Sequence, residues 1–466
     1  MTPDKAMTMV SPRFALASLS LSMLLSPLGT SIANVALPAM AQSFNASFQA
    51  VQWVVLAYLL AVTTLIVSAG RLGDLFGRRR LLLGGLFLFT AASALCSVAP
   101  TLGMLIAARA AQGVGGAVMM ALTMAFVGET VPKEKTGRAM GLLGTMSAVG
   151  TALGPTLGGV LLAAFGWPAI FLINVPLGAL TLALAYYALP PDREPEAGRG
   201  GFDTVGTLLL ALTLAAYALA MTTGRGSFGP INAALLLAAF VGAGVFAFAE
   251  TRTASPLIQM STFRNPVLSI GFATSALVLT VMMATLVVGP FYLALGLGLD
   301  AVKVGLALSA GPLAAALGSA AAGRAVDRFG AGRMTMAGLA VAAGGCTILS
   351  VLPTASGVAG YVVPLVIITA GYALFQTANN TAVMTGIGAD QRGVISGMLN
   401  LSRNLGLVTG ASAMGAVFAF ASGASDITAA APDAVAAGMR ITFAVAAALI
   451  VVALAITAGR RLRVTN

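Results

Sequence analysis

Gly70-Arg71-Leu72-Gly73-Asp74-Leu75-Phe76-Gly77-Arg78-Arg79-Arg80 is the stretch that decides how this chain folds. It is a short charged turn between two apolar runs, 51–69 and 81–99, each long enough to cross a bilayer as a helix. Charge is costly in hydrocarbon, so the turn marks where the chain leaves the membrane and re-enters it. A second copy, Gly323-Arg324-Ala325-Val326-Asp327-Arg328-Phe329-Gly330-Ala331-Gly332-Arg333, follows 253 residues later, with Gly, Asp and Gly again at offsets 0, 4 and 7. Two copies predict two related halves.

The bulk composition agrees. Hydrophobic residues make up 58% and charged residues 8% of the 466, with a mean hydropathy of +0.96. A soluble domain carries about 25% charge, so this chain reads as an all-α polytopic membrane protein. Fourteen apolar runs have spanning length. Under that topology 20 of the 25 Lys and Arg face one side and 3 the other, while Arg109 and Arg403 lie within helices. The acidic residues divide 11 to 3, with none in the hydrocarbon. The positive-inside pattern makes the charge-rich side cytoplasmic and places both termini there. Basicity here sets orientation and excludes a nucleic-acid reading.

The spacing of the charged repeats exceeds the length of six helices by about one helix pair. The surplus falls on runs 204–222 and 232–249. The expected organisation is a six-helix bundle over 1–189, an inserted helix pair with linkers over 190–264, and a second six-helix bundle over 265–466. Cys96 and Cys346 sit in apolar runs, so no disulfide framework is expected. There is no His, no clustered carboxylate and no GxxxxGK[ST], which argues against a metal site, a nucleotide site and an enzyme.

The charged turn resembles the loop between the second and third helices of the major facilitator superfamily, and six-plus-two-plus-six resembles its fourteen-helix drug:proton antiporter branch. That resemblance implies transport by rocking one bundle against the other. It also gives Gly70, Asp74, Gly77 and Arg78, with Asp327 and Arg333, the role of gating latches. Leu28-Gly29-Thr30-Ser31-Ile32-Ala33-Asn34-Val35-Ala36-Leu37-Pro38 resembles the branch's helix 1 motif, but Gly29 stands where the branch usually has Asp. That Asp is an expected protonation or cation-sensing site. Trp167 to Gly178 and Phe202-Asp203-Thr204-Val205-Gly206 resemble the same branch, with Pro168 in place of its usual Arg. The inserted pair is expected to be peripheral scaffold or a partner surface.

Candidate site residues follow from polar groups in apolar runs. Ser18, Ser22, Ser26, Thr30 and Asn34 recur every four residues on helix 1 and make a polar stripe expected to face the central cavity. Ser and Thr can bond back to their own helix, whereas Asn34 is expected to need a partner elsewhere. Arg109 and Gln112 on helix 4 resemble the family's Arg-x-x-Gln-Gly. An intramembrane Arg is either functional or caps a neighbour's carbonyls. In the second half Gln376, Asn379 and Asn380 share one turn, as do Asn400, Arg403 and Asn404. Both groups are expected to face the cavity or each other, though Arg403 is also placed to reach the headgroups. On helix 5, Gly150, Gly154 and Gly158 form a flat strip beside Pro155 and Gly159. The full Gly-Pro-x-x-Gly-Gly resembles the motif of exporters.

The resulting expectation is proton-coupled efflux of small amphipathic molecules from the cell membrane by a monomer. The proton gradient is the energy source and no cofactor is needed. Two intramembrane guanidinium groups and no carboxylate favour neutral or anionic substrates. The alternatives are a facilitator or symporter of a small organic acid and, more remotely, a transport-derived sensor or scaffold.

Overall fold

The computed structural model describes residues 12–130, 136–192, 203–223, 229–253, 256–258, 260–385, 387, 392–423 and 427–464. Among these, fourteen helices are long and apolar enough to cross a membrane. They are α1 (Pro12–Val35), α2 (Phe48–Phe76), α3 (Arg78–Ser97), α4 (Leu102–Thr130), α5 (Thr136–Phe165), α6 (Ala169–Ala188) and α7 (Thr204–Thr222). Then come α8 (Pro230–Arg252), α9 (Pro266–Gly296), α10 (Ala301–Phe329), α11 (Ala331–Val351), α12 (Gly357–Met384), α13 (Val394–Ala421) and α14 (Pro432–Val464).

Starts and stops are written locally. Ser47, Asp203, Asn265 and Asp300 each accept a backbone N–H of the helix they open, which satisfies donors that the first turn leaves unpaired. The glycine at offset 7 of each charged repeat takes a backbone conformation that favours glycine, Gly77 at φ 95° and Gly330 at φ 83°. Each closes one helix, its N–H donating to Gly73 O or Val326 O, and opens the next. The repeat is therefore a one-residue joint.

The sequence repeat is also a packing repeat, with each helix of the first half matched by the helix eight places later. α1 packs on α5 as α9 packs on α13, α2 on α4 as α10 on α12, and α3 on α4 and α6 as α11 on α12 and α14. The halves meet through α5 with α10 and through α2 with α13. Among the described residues, the side-chain hydrogen bonds and ring contacts between them lie at the end away from the charged turns. There Phe48 sits edge-on between Phe291 (4.7 Å) and Phe418 (5.4 Å). Thr156 hydrogen-bonds Ser309, and Gln52 donates to the Ala411 carbonyl at 2.9 Å, beside a π-turn over Gly410–Met414.

Toward the charged end α5 and α10 separate. A Cβ at Gly159 would press on Ala301 and Gly305, whereas Gly141 and Gly323 have nothing within 4 Å. Each lies eighteen residues, five turns, from the contact on its own helix and so on the same face. The molecule is a two-bundle cleft open at the charged end.

The inserted pair differs from its expectation. α8 packs mainly on α7 and presents Phe240, Val241 and Phe248 outward, as a lipid-facing scaffold would. α7 is built into the body. It runs along α2, with Ser68 bonded to Thr207 at 3.0 Å and Trp53 Nε1 donating to Thr222 at 3.1 Å, and it also touches α13.

Candidate functional site

Arg109 organises the first bundle. Its position on α4 points it at α1, α2 and α6, and it is fully buried at 0% exposure. Nε donates to Val54 O at 2.8 Å, and Nη1 donates to Gly29 O at 3.1 Å and to Gln112 Oε1. The guanidinium lies 4.4 Å from the Tyr58 ring centroid and 5.7 Å from that of Phe171. Nη2 has no partner. Capping of carbonyls, the structural alternative, is thus present alongside an unused donor. Close approach of α2 makes this possible, since any side chain at Gly113 would strike Tyr58 O and Ala61.

The network continues outward. Gln112 Nε2 donates to Ser93 at 2.7 Å, and the Tyr58 hydroxyl shares a 2.8 Å bond with the Ser26 hydroxyl. Tyr58 was not among the sequence candidates. A tyrosine at the centre of a spanning run needs a partner for its hydroxyl, and that was the available signal. Position 29 adjoins the whole group: a Cβ there would lie 3.2 Å from Phe89 and 3.9 Å from Gln112 Nε2. Among the described residues no Asp or Glu lies in this network.

Other members of the polar stripe are placed differently from their expectation. Ser18 and Ser22 bond back to their own helix, and Thr30 does so to Ser26 O. Asn34, expected to need a distant partner, donates to Thr30 O at 3.0 Å, four residues back, and is fully buried, so it does not face the cleft. Arg109, Gln112 and Ser26 are likewise buried within the bundle. They are not exposed on a solvent-filled wall in this conformation.

In the second half the two amide groups do meet. Arg403 Nη2 on α13 donates to Asn380 Oδ1 on α12 at 2.6 Å, and Arg403 Nε is unpartnered. Asn379 turns away and donates to Gly271 O on α9 at 3.1 Å. Asn404 is buried, while Gln376, Asn380, Asn400 and Arg403 are only partly buried. The headgroup alternative for Arg403 is not what the side chain does here.

The helix 5 motif separates into two surfaces. Side chains at Gly150 and Gly154 would strike Leu24 O and Ser31 of α1, and Gly158 sits against Ile32. Gly159 faces the other half at Ala301 and Gly305, and the Pro155 carbonyl abuts Gly305.

The charged turns hold a partner that sequence reasoning missed. Asp192, just past α6, accepts the backbone N–H groups of Arg79 (2.6 Å) and Arg80 (3.1 Å). It thereby caps α3 from 113 and 112 positions away. Arg79 also donates to Tyr186 O. The first turn is therefore fastened to the end of its own bundle. Asp327 and Arg333 are exposed at the mouth of the cleft, near the open position of Gly323; the side chain of Asp74 lies outside the described residues.

These features agree with the comparison to known proteins. The Major Facilitator Superfamily profile matches residues 19–411. The chain belongs to the Major Facilitator Superfamily. Within that superfamily it is 32% identical to the multidrug resistance protein Stp of Mycobacterium tuberculosis, over 83% of this chain and 72% of that one. It is 29% identical to the riboflavin transporter RibZ of Clostridioides difficile, over 85% and 86% respectively. Its fourteen spans and its drug-efflux relatives agree with the fourteen-helix branch that its sequence resembles. A bacterial homologue of the human lysosomal transporter Spinster, in an inward-facing and unoccupied conformation, shares the fold with a TM-score of 0.71 at 15% identity, covering 96% of each chain. The protein is a multi-pass membrane transporter and not an enzyme.

Proposed function

We propose that this transporter exports small amphipathic molecules from the cell in exchange for protons, as a monomer with both termini cytoplasmic, and that it prefers neutral or anionic substrates. The observation that carries the charge preference is the buried Arg109, with Gly29 beside it and one guanidinium nitrogen unpartnered. A fixed positive charge without a counter-carboxylate disfavours organic cations nearby. Export is supported by the Gly150–Gly159 motif and by relatives such as Stp. With the charge-rich end cytoplasmic, the cleft is open to the inside. Asp327 and Arg333, with Asp74 and Arg78, then serve as latches whose cross-bundle pairing stabilises the state closed there. Substrate or proton must bind the two states unequally for the cycle to turn.

The test is counterflow in proteoliposomes with matched cationic, neutral and anionic amphipaths, with and without an imposed proton gradient. Good transport of cations with no movement of anions would overturn the charge reading. A second reading, a facilitator or symporter of a small organic acid, is favoured by Arg403, whose Nε is unpartnered, beside Asn380 and Asn400, groups able to hold a carboxylate. Flux that persists unchanged after the gradient is collapsed favours an uncoupled facilitator of such an acid.

A further inference from the structure

Asp203 and Glu250 face each other where the inserted helices meet the charged end. Asp203 opens α7, its Oδ1 accepting the Gly206 N–H at 2.7 Å. Glu250 stands in the last turn of α8, its Oε2 accepting the Ile258 N–H at 2.8 Å. Each carboxyl has one oxygen held by a backbone donor. The other oxygens, Asp203 Oδ2 and Glu250 Oε1, converge over Gly206, where an added Cβ would strike both. Both are buried without a hydrogen-bond partner, in residues only 8% and 3% exposed. Two acceptors aimed at one space, with no donor, leave room for a single hydrogen.

We propose that Asp203 and Glu250 hold one proton between them, and that this proton operates a clasp joining the inserted helix pair to the second bundle. When one carboxyl is protonated, its O–H donates to the other and both orphan oxygens are satisfied. When the proton leaves, two buried carboxylates repel, and the inexpensive escape is for Glu250 to swing away. That releases the Ile258 N–H. Ile258 packs in an apolar cluster with Leu210 and Leu214 of α7, Phe246 of α8, Phe272 of α9 and Leu399 of α13. Its release therefore loosens the inserted pair from the second bundle.

The surrounding charges do not supply the missing donor. Arg252 lies over the Phe248 ring at 4.4 Å, and Arg264 is exposed. α7 carries no other charge, and α9 none along its span. On α13 Arg403 is engaged with Asn380. Arg71 and Asp74 of α2 and Arg392 ahead of α13 lie outside the described side chains. The proposal does not depend on substrate or direction, so its failure leaves the transport reading standing.

The experiment uses the full-length protein in nanodiscs with Leu257→Cys as a reporter beside Ile258. The native cysteines, Cys96 and Cys346, are buried. Maleimide labelling is followed across pH, in this background and with Glu250→Gln added. Gln at 250 accepts from Ile258 and donates to Asp203, replacing the shared proton permanently. The labelling rate, relative to Glu250→Gln at each pH, is expected to rise severalfold as pH increases through the titration. Asp203→Asn, whose amide likewise supplies the donor, should also lack the rise, and it serves if Glu250→Gln does not fold. Identical profiles with and without the amides overturn the proposal. So does a response that follows added sodium or calcium at fixed pH, which would make the pair a cation site.

Discussion

At the scale of single residues, the first bundle turns on the match between Arg109 and position 29. Gly29→Asp places a carboxylate next to Gln112, which Arg109 already bonds, once the Phe89 ring yields a few tenths of an ångström. Counterflow with the variant should show the preference for organic cations over anions rising about tenfold, equivalent to roughly 1.4 kcal/mol. An unchanged preference would mean that Arg109 does not set substrate charge. Arg109→Lys should fold yet lose transport, because one ammonium cannot serve Val54 O, Gly29 O and Gln112 in the geometry the planar fork provides. Tyr58→Phe keeps the ring under the guanidinium and loses the bond to Ser26, a cost of about 1 kcal/mol in thermal unfolding. Transport should survive it; if it falls as far as in Arg109→Lys, the hydroxyl has a role beyond packing. Arg109 was legible in the sequence because charge inside an apolar run stands out. Tyr58, Asp192 and the Asp203–Glu250 pair were not legible as partners. Each gains its meaning from a residue between 32 and 113 positions away, and local periodicity carries no information about that distance.

At the scale of helices, the charged repeat works through its joints. Both Gly77 and Gly330 sit at backbone angles that cost a side chain about 1–3 kcal/mol. Gly330 has open space around it, while a Cβ at Gly77 would also collide with the Asp192 carboxylate. Gly330→Ala should therefore lower stability by that backbone cost alone, and Gly77→Ala by more, as read by thermal unfolding in detergent. Equal losses would show that the Asp192 cap contributes little. The fourteen spans and both joints were readable from apolar run length and from glycine placement. The role of α7 was not, because a helix without charge looks the same whether it faces lipid or, as here, α2 and α13. The Gly150 strip was readable as a close-packing surface. That it serves α1 while the adjacent Gly159 serves the opposite half required the structure.

At the scale of the whole molecule, the halves touch at one end and part at the other. A Thr156→Cys/Ser309→Cys pair, built where the two hydroxyls already bond, should lock the cleft open under oxidation and stop transport, with recovery on reduction. Transport that continues through the cross-link would exclude parting at this end. Gly323→Leu meets nothing in the present conformation and replaces a glycine inside a helix, so stability should not fall. Transport should nevertheless fall sharply, since closure brings Gly323 toward Gly141; full transport would show that these faces never approach. The backbone contact of Gly159 with Gly305 then acts as the fulcrum of a long arm. Gly141 and Gly323 lie about 27 Å from it at 1.5 Å per residue, so each degree of tilt widens the mouth by roughly 0.5 Å. A single methyl group wedged into that fulcrum would change the bulk of molecule the far opening admits, without altering any residue the molecule touches.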